Sequence, residues 1–590
     1  MKINYLDGRR FYKAFLAGSK TVKREREYLN KINVFPVPDS DTGTNMVNTL
    51  NAILNGAEKS ILLNETLKSM ADSGITGAQG NSVIIFTQFL VGISNEIEST
   101  RKISVNKFAE ITKKAIKYLY NSVANPVEGT LLSVIRDWVE SFYENSRNNS
   151  DFYDVLKLAY KDAKNSLEKT TEKIEILSEN GVVDAGARGF VFFIEGIIDY
   201  MKNGSLHENK VYEVEIPENL EISAGSRNEI KFRYCVEALI TELRMTLDSF
   251  KKEFSSFGES FIVVGDLSKF HLHIHTNNPD IFFNQVRKIA KISGVKVDDM
   301  SKQYSISNNR KYDIGIITDS ACDLPETILD RYQILQIPFY INYGEDVFLD
   351  KKTINTHQFY NMLKEKSEFP VSSQPSLKQV REVLDFASRN FKKVYAVTIS
   401  KHLTGLNEKL NILSHHYSNL KVVNSRHLSV SEGLIVMRLA KAIENNIADS
   451  EIDVSLENWI DKTEIFTDIN TLKYMVRGGR VSPLKGKIAK ALNLKPIVSV
   501  DKYGKAVAYG KSFSRKSNMQ KILKLIKKIS QKRNIWNYAL VHAEAPERVQ
   551  EYAEKITTIV SKKPAYIMPL SPVVGVHNGI GAVGIGVMKE

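Results

Sequence analysis

The stretch 33–46 reads Asn-Val-Phe-Pro-Val-Pro-Asp-Ser-Asp-Thr-Gly-Thr-Asn-Met and concentrates groups able to do chemistry. Asp39 and Asp41 stand two positions apart, and Pro36 and Pro38 stiffen the turn that presents them. Met46, Leu50, Ile53 and Leu54 recur at helical spacing, which predicts a helix starting just after the two carboxylates. The N–H groups of Thr42, Gly43, Thr44 and Asn45 would then face phosphate oxygens. Asn33 adds a third oxygen ligand if the loop folds back. Hard oxygen ligands beside a phosphate cradle suit a magnesium–nucleotide complex. The same residues would also make a Pro/Asp/Gly turn that caps a helix, and local chemistry leaves both readings open.

Two further groups invite a chemical reading. Gly77, Ala78, Gln79, Gly80, Asn81 and Ser82 form a small-residue turn before the apolar run Val83 to Phe86, so backbone there can approach a ligand closely. His271, His273 and His275 alternate along a return strand that follows Phe261 to Val264 and a turn at Gly265 to Ser268. Alternate residues share one face, with imidazoles about 7 Å apart along the strand. Two of them could converge on a metal if Cys235, in Tyr-Cys-Val-Glu, came from a neighbouring strand. A polar strand face with exposed histidines is the competing reading, as is a pair of His271 and His273 with His275 only hydrogen-bonding.

The elements that must position these groups follow from composition and periodicity. A chain of 590 residues exceeds one core and suggests roughly three to five domains. Hydrophobic residues at 43% and charged residues at 25% are those of ordinary globular proteins. Only Cys235 and Cys322 are available, so no disulfide framework exists, and with no signal-like or membrane-spanning run a cytoplasmic location is expected. The net charge of +13 is spread out, and its densest patch, 521–533, reads as a core helix with a solvated lysine face rather than a docking site for anionic lipid or an acidic protein. No nucleic-acid-binding motif is present.

Residues 1–203 read as helical throughout, with small-residue loops at 125–130 and 184–189; 204–229 read as a linker and 230–308 as a small α+β unit. From 311 to 590 strands alternate with helices, the pattern of an α/β region, with strands expected at 313–318, 393–400, 419–425, 496–501, 537–543 and 565–570. Polar clusters fall where such sheets bind ligands, beyond strand ends, at Thr318 to Ser320 and Thr398 to Gly405; Ser372 to Ser376 and Arg477 to Arg480 occupy connecting loops, and His577 is presented from a turn. Singly each could be a cap or turn. Together they offer hydroxyls, an imidazole and an arginine, a set suited to a carboxylate or phosphate.

The stretch 33–46 resembles the signature of the DhaL-type kinase domain, shared by the L subunit of dihydroxyacetone (glycerone) kinase and the kinase component of bacterial fatty acid kinase. Its Phe-Pro-Val-Pro form is closer to the second. The resemblance implies an eight-helix barrel, with Asn33, Asp39 and Asp41 as magnesium ligands. Thr42, Gly43, Thr44 and Asn45 match the phosphate loop, and Gly77, Ala78, Gly80, Asn81 and Ser82 a second nucleotide loop. Gln79 stands where that family has Arg, and Val83 where it has Gly. Tyr-Cys-x-Glu and His-x-His-Thr resemble the middle domain of the fatty acid kinase component, implying a structural zinc site at Cys235, His273 and His275, with His271 extra.

The second half resembles the DegV family of fatty-acid-binding proteins through 318–325, Ser373 to Ser376, 399–405, Arg477 to Arg480, 492–496 and His577. This implies two α/β subdomains around an acyl chain, whose carboxylate meets Ser372, Ser373, Ser400, Thr404, Arg480 and His577. Phe513 occupies a position where the family tends to carry Arg, leaving open whether Arg515 substitutes. The combined resemblance implies an ATP-dependent fatty acid kinase making acyl phosphate, with Mg-ATP and zinc as cofactors. Asp39, Asp41, Asn33, Arg480 and His577 would carry the reaction. Fatty acid and ATP are the implied partners, an acyl-phosphate acceptor enzyme at the membrane surface a further one, and a homodimer stays open. A DhaL-type kinase of another small substrate and a non-catalytic lipid-binding protein are the alternatives.

Overall fold

A computed structural model describes residues 2–35, 41–203, 230–480 and 495–590. It forms two compact units, Met1–Tyr304 and Ser305–Glu590. Asp39, the 204–229 stretch and most of the 492–496 motif lie outside the described residues.

The first unit begins with α1 (Gly8–Arg24), α2 (Arg26–Lys31), α3 (Thr42–Gly56), α4 (Leu63–Gly77), α5 (Asn81–Glu96), α6 (Val105–Asn121), α7 (Leu131–Ser146), α8 (Phe152–Lys173), α9 (Glu175–Glu179) and α10 (Ala185–Asn203). Eight of these run 15 to 22 residues, while α2 and α9 are single short turns. Each long helix packs on the next long one, and α10 closes back on α1, so the eight form a ring. The sequence dictates this: α5 buries every residue from Val83 to Ile93, as a helix apolar all round must, and aromatic rings at Phe15, Phe86, Phe142 and Phe190 fill the middle. Asp7, Ser104 and Asp151 cap α1, α6 and α8 through their side-chain oxygens.

A four-stranded sheet follows, in the order β2-β3-β1-β4, from β1 (Tyr234–Thr241), β2 (Glu259–Gly265), β3 (Lys269–Thr276) and β4 (Lys291–Asp299). The hairpin expected at 261–276 is there. β2 docks on α5: Gly265 N–H donates to Gln88 Oε1 at 3.2 Å, Val263 N–H donates to Ser122 O at 3.0 Å, and Ile262 and Val264 join the helical core.

The second unit holds a parallel sheet, β11-β10-β5-β6, made of β5 (Ile314–Asp319), β6 (Leu335–Ile337), β10 (Lys393–Thr398) and β11 (Leu420–Asn424). A small antiparallel sheet joins β7 (Tyr340–Tyr343), β8 (Asp346–Leu349) and β9 (Val371–Ser373). The third sheet is mixed, β14-β13-β12-β17-β15-β16, from β12 (Thr463–Asp468), β13 (Lys495–Val500), β14 (Ala506–Ser512), β15 (Ile535–His542), β16 (Ile567–Pro569) and β17 (Val583–Lys589). The six strands expected from the sequence are present within a few residues. β6, β12, β14, β17 and the small sheet fall outside those six, being only three or four residues long or broken by Gly and charged residues. The basic helix, Arg515–Lys532, buries Met519, Ile522 and Ile526 and leaves Lys524, Lys527 and Lys528 in solvent, the core-helix reading of that patch.

Among the described residues, no helix is long and apolar enough to cross a membrane.

Candidate functional sites

In the first unit one pocket collects Asn33, Asp41, Thr42 and Asn45 with Gly80, Asn81 and Ser82, so the stretch before α3 and the turn before α5 do meet. Asn33 is buried at 2% exposure, which is the fold-back its role requires. Gly80 adopts φ +76°, and a Cβ there would come 2.7 Å from Asn45 Nδ2, so only glycine allows the two loops this close.

The backbone at Thr44 and Asn45, expected to face phosphate, is engaged within the fold. Thr44 N–H donates to Asn30 Oδ1 at 3.0 Å, and the Thr44 hydroxyl accepts from Asn30 Nδ2 at 3.0 Å. Asn45 N–H is already bonded to Asp41 O at 2.9 Å. Gly43 packs against Arg26 O and, like Thr44, Gly77 and Ala78, does not line the pocket. The start of α5, Asn81 to Val83, lines it instead. Gln79 is buried and does not line the pocket, so its departure from Arg leaves no gap in the wall.

The remaining wall comes from the sheet, and strand register explains how. Cys235 lies across from His275 on β3 and Asp298 on β4, while Glu237 lies across from His273 and Lys296. Two adjacent three-residue rungs therefore share one face, and all six residues line the pocket. One ligand atom from each of Cys235, His273 and His275 lies within 4.8 Å of the others. Cys235 Sγ stands 3.8 Å from His273 Nδ1. His271 falls on the next rung, opposite Leu239 and Val264, and takes no part in the cluster. All three histidines are buried, so the exposed-strand alternative does not hold.

The electrostatics favour a cation. Burial, then the charges of Glu237, Asp298 and Asp41, push the Cys235 thiol well above its ordinary range. Burial and the neighbouring His273 bring His275 down to about 3. Burial works against ionisation of Glu237, but His273 and Lys296 outweigh it and hold the carboxyl well below the usual range. Among the described residues the lining carries three carboxylates, Asp41, Glu237 and Asp298, against Lys296 alone. A metal-bound nucleotide fits such a pocket better than a free polyphosphate. His273 Nε2 is buried without a hydrogen-bond partner, which a zinc ion would satisfy. Cys235, His273 and His275 supply three protein ligands in the pocket wall, one fewer than the four of a closed structural zinc site.

In the second unit a cavity of about 180 Å³ runs between the parallel and mixed sheets. Phe339, Ile399, Leu403, Ile465, Val498 and Val573 contribute its apolar wall. At its polar part Ser372 Oγ lies 3.0 Å from His577 Nε2, with Ser373, Thr404 and Arg480 also lining. Thr404 Oγ1 and His577 Nδ1 are buried without hydrogen-bond partners. Arg480 donates to Leu403 O at 2.6 Å. Gly478 is where the Arg-Gly-Gly-Arg loop meets His577: a Cβ there would sit 2.2 Å from Nδ1. Burial, then the Arg480 charge, lowers His577 to about 4, so the ring is neutral at physiological pH.

Buried carboxylates brace this cavity without entering it. Asp319 accepts from Ala321 N–H at 3.0 Å and Ile399 N–H at 2.8 Å, and burial raises it to about 7. Asp323 and Asp350 accept from Ser571 and Val573 N–H, fixing the start of the helix Pro572–Asn578 that carries His577. The 318–320 cluster is therefore scaffold. Ser400, expected at the ligand, is fully buried outside the lining and donates to Gly504 O at 2.8 Å. Arg515 is tied to Asp468 and Gly581 O and does not line the cavity, so it does not replace the Arg missing at Phe513, which is exposed. Thr467, Ser499 and Asn578 line it too, and nothing in their spacing announced them.

Comparison with known proteins assigns the domains. Residues 36–199 match the DAK2 domain, 231–307 the FakA-like middle domain of fatty acid kinase, and 313–590 the uncharacterised DegV family. An uncharacterised protein of Staphylococcus saprophyticus subsp. saprophyticus is 28% identical over 323 residues, 53% of this chain and 58% of the relative. Protein YloV of Bacillus subtilis (strain 168) is 28% identical over 317 residues, 52% of this chain and 57% of its own. The match thus spans little more than half the length of these relatives. Among solved structures, DegV, a fatty acid binding protein from Bacillus subtilis, covers 48% of this chain and 100% of its own at 22% identity and a TM-score of 0.44. A fatty-acid-binding DegV family protein from Thermus thermophilus covers 47% and 99% at 23% identity and a TM-score of 0.44. The chain therefore carries a DAK2 (DhaL-like) domain, a FakA-like middle domain and a DegV domain in one polypeptide.

Proposed function

We propose that this protein is an ATP-dependent kinase that phosphorylates the carboxylate of a fatty acid held by its second unit, giving an acyl phosphate. The observation that carries the reading is that one chain holds both an electronegative pocket at a helix N-terminus and an apolar cavity ending in a Ser372–His577 pair. In this reading 1–203 binds nucleotide, 230–308 completes its pocket, and 311–590 holds the acyl chain.

Asn33 and Asp41, with Asp39, would hold magnesium, which would supply positive charge against that developing on the transferred phosphoryl group. Gly80, Asn81 and Ser82, with Thr42 and Asn45, would receive the phosphates at the N-terminus of α5. Cys235, His273 and His275 would hold zinc. Ser372, Thr404, His577 and Arg480 would orient the carboxylate, with Ser373 beside them. A carboxylate oxygen attacks the γ-phosphorus, the bond to the β-phosphate oxygen breaks, and ADP leaves. The nucleophile is already ionised, so no general base is needed, and positioning with charge neutralisation supplies the catalysis.

The test uses the purified full chain with ATP, magnesium and fatty acid, trapping acyl phosphate as hydroxamate. Product is expected from the native chain and not from Asp41→Ala or Asp39→Ala. Equal product from those variants, or none from the native chain, would remove the proposal.

A further inference from the structure

Glu237 joins two sites that sequence motifs present as separate. It is 3% exposed, and its Oε1 accepts a hydrogen bond from Gly80 N–H at 2.7 Å. The same oxygen lies 3.3 Å from His273 Nδ1. One oxygen therefore touches both the turn that starts α5 and a member of the Cys235–His273–His275 cluster. Glu237 Oε1 and, at 3.8 Å, Cys235 Sγ both face His273 Nδ1, while Nε2 is buried without a hydrogen-bond partner; a carboxylate bonded to a ligating imidazole sets its tautomer and ring angle.

The turn on the other side of this bridge has little room to adjust. Gly80 sits at φ +76° directly before Asn81, and Asn45 closes on it from α3. Asn81, Ser82 and Val83 continue as the pocket wall. Lys296, opposite Glu237 on β4, flanks the carboxylate from the far side of β1. A shift of the His273 ring on metal binding is passed to Glu237, which holds the Gly80 N–H at the start of the pocket wall formed by Gly80 to Val83.

We propose that Glu237 is a positioning residue that couples the two sites: a metal on Cys235, His273 and His275 sets the Gly80 turn for nucleotide phosphate, and nucleotide in turn tightens the metal. The coupling rests on the nucleotide reading above and gives the metal cluster a regulatory role within that pocket. Linkage makes the effect reciprocal, so it is measurable from either ligand.

The experiment measures binding of a non-hydrolysable ATP analogue with magnesium to the full chain, once stripped by a chelator and once loaded with zinc. Zinc affinity is measured separately by chelator competition. Zinc should tighten nucleotide at least about fivefold in the native chain. In Glu237→Ala that ratio should fall to one, with zinc bound roughly ten- to a hundredfold more weakly. Glu237→Gln keeps an acceptor for Gly80 but no charge for His273, and should fall between the two. A native chain that binds nucleotide equally well with and without zinc overturns the coupling alone, whereas one that binds no nucleotide in either state overturns the reading beneath it. A Glu237→Ala ratio equal to the native one, or a Gln variant indistinguishable from native in both zinc affinity and ratio, removes Glu237 from the role.

Discussion

The pocket of the first unit and the cavity of the second are both walled by side chains on braced elements, yet they treat charge in opposite ways. In the first, carboxylates reach the lining itself: Asp41, Glu237 and Asp298 stand in the wall with Lys296. In the second, the carboxylates stop one layer short. Asp319, Asp323 and Asp350 accept from backbone N–H groups, Asp323 also from the Ser429 hydroxyl, and what reaches the cavity is neutral apart from Arg480. A wall of carboxylates gains by taking up cations, and through them a polyphosphate. A largely apolar wall with hydroxyls, a neutral imidazole and one arginine suits a single anion on an apolar tail.

The comparison can be broken at either site. The largest effect is expected from Asp41→Ala, which should lower phosphoryl transfer about a hundred- to a thousandfold while fatty acid still copurifies, as mass spectrometry of the extracted ligand would show. A variant that loses both properties would mean the two sites are not separable.

Next comes His577→Ala. It removes the partner of Ser372 and the contact proposed to the fatty acid carboxylate, and hydrogen bonds to charged groups are worth about 1.5–3 kcal/mol. Fatty acid affinity should drop roughly ten- to a hundredfold, read by displacement of a fluorescent fatty acid, with nucleotide affinity unchanged. An altered nucleotide affinity would contradict the division of labour.

The third effect is on stability. His577 titrates at about 4 in the fold against an ordinary 6.5, so the unfolded chain takes up the proton first as pH falls. Stability is therefore lost between pH 6.5 and about 4, and His577→Gln should flatten that loss without changing stability at pH 8. Parallel melting curves from pH 8 to pH 4 for both proteins check this, and curves that stay parallel at every pH would show that His577 is not held neutral.

The smallest effect is expected from Thr404→Val. The hydroxyl is buried without a partner, so its loss should leave melting unchanged or slightly raised. Fatty acid affinity should fall only a few-fold. A clear loss of stability would mean that Thr404 already serves the fold before any ligand binds.

Much of this contrast was legible in the chain. Asp41 of the paired-Asp loop, the small-residue turn before Val83 and the Cys235–His273–His275 spacing all pointed to groups that one pocket collects. The Ser372, Thr404, Arg480 and His577 motifs likewise converge on one cavity. What stayed hidden was direction. A helix start looks open from sequence, but Asn30, on a different helix, occupies the Thr44 N–H. Glu237, Lys296 and Asp298 enter through cross-strand register, which local patterns do not encode. Asp319, in the Thr318 to Ser320 cluster, read as ligand-binding because a carboxylate bracing a loop and one binding a ligand look alike in a motif.

The central claim is that the fatty acid carboxylate is the nucleophile, and an oxygen label follows it directly. The full chain would be given ATP, magnesium and a fatty acid labelled with ¹⁸O in its carboxylate, and the product trapped with hydroxylamine. Hydroxylamine attacks the acyl carbon and breaks its bond to the bridging oxygen. The account predicts acyl hydroxamate together with inorganic phosphate carrying one ¹⁸O. Unlabelled phosphate without hydroxamate would mean that water, not the carboxylate, receives the phosphoryl group, and would contradict it.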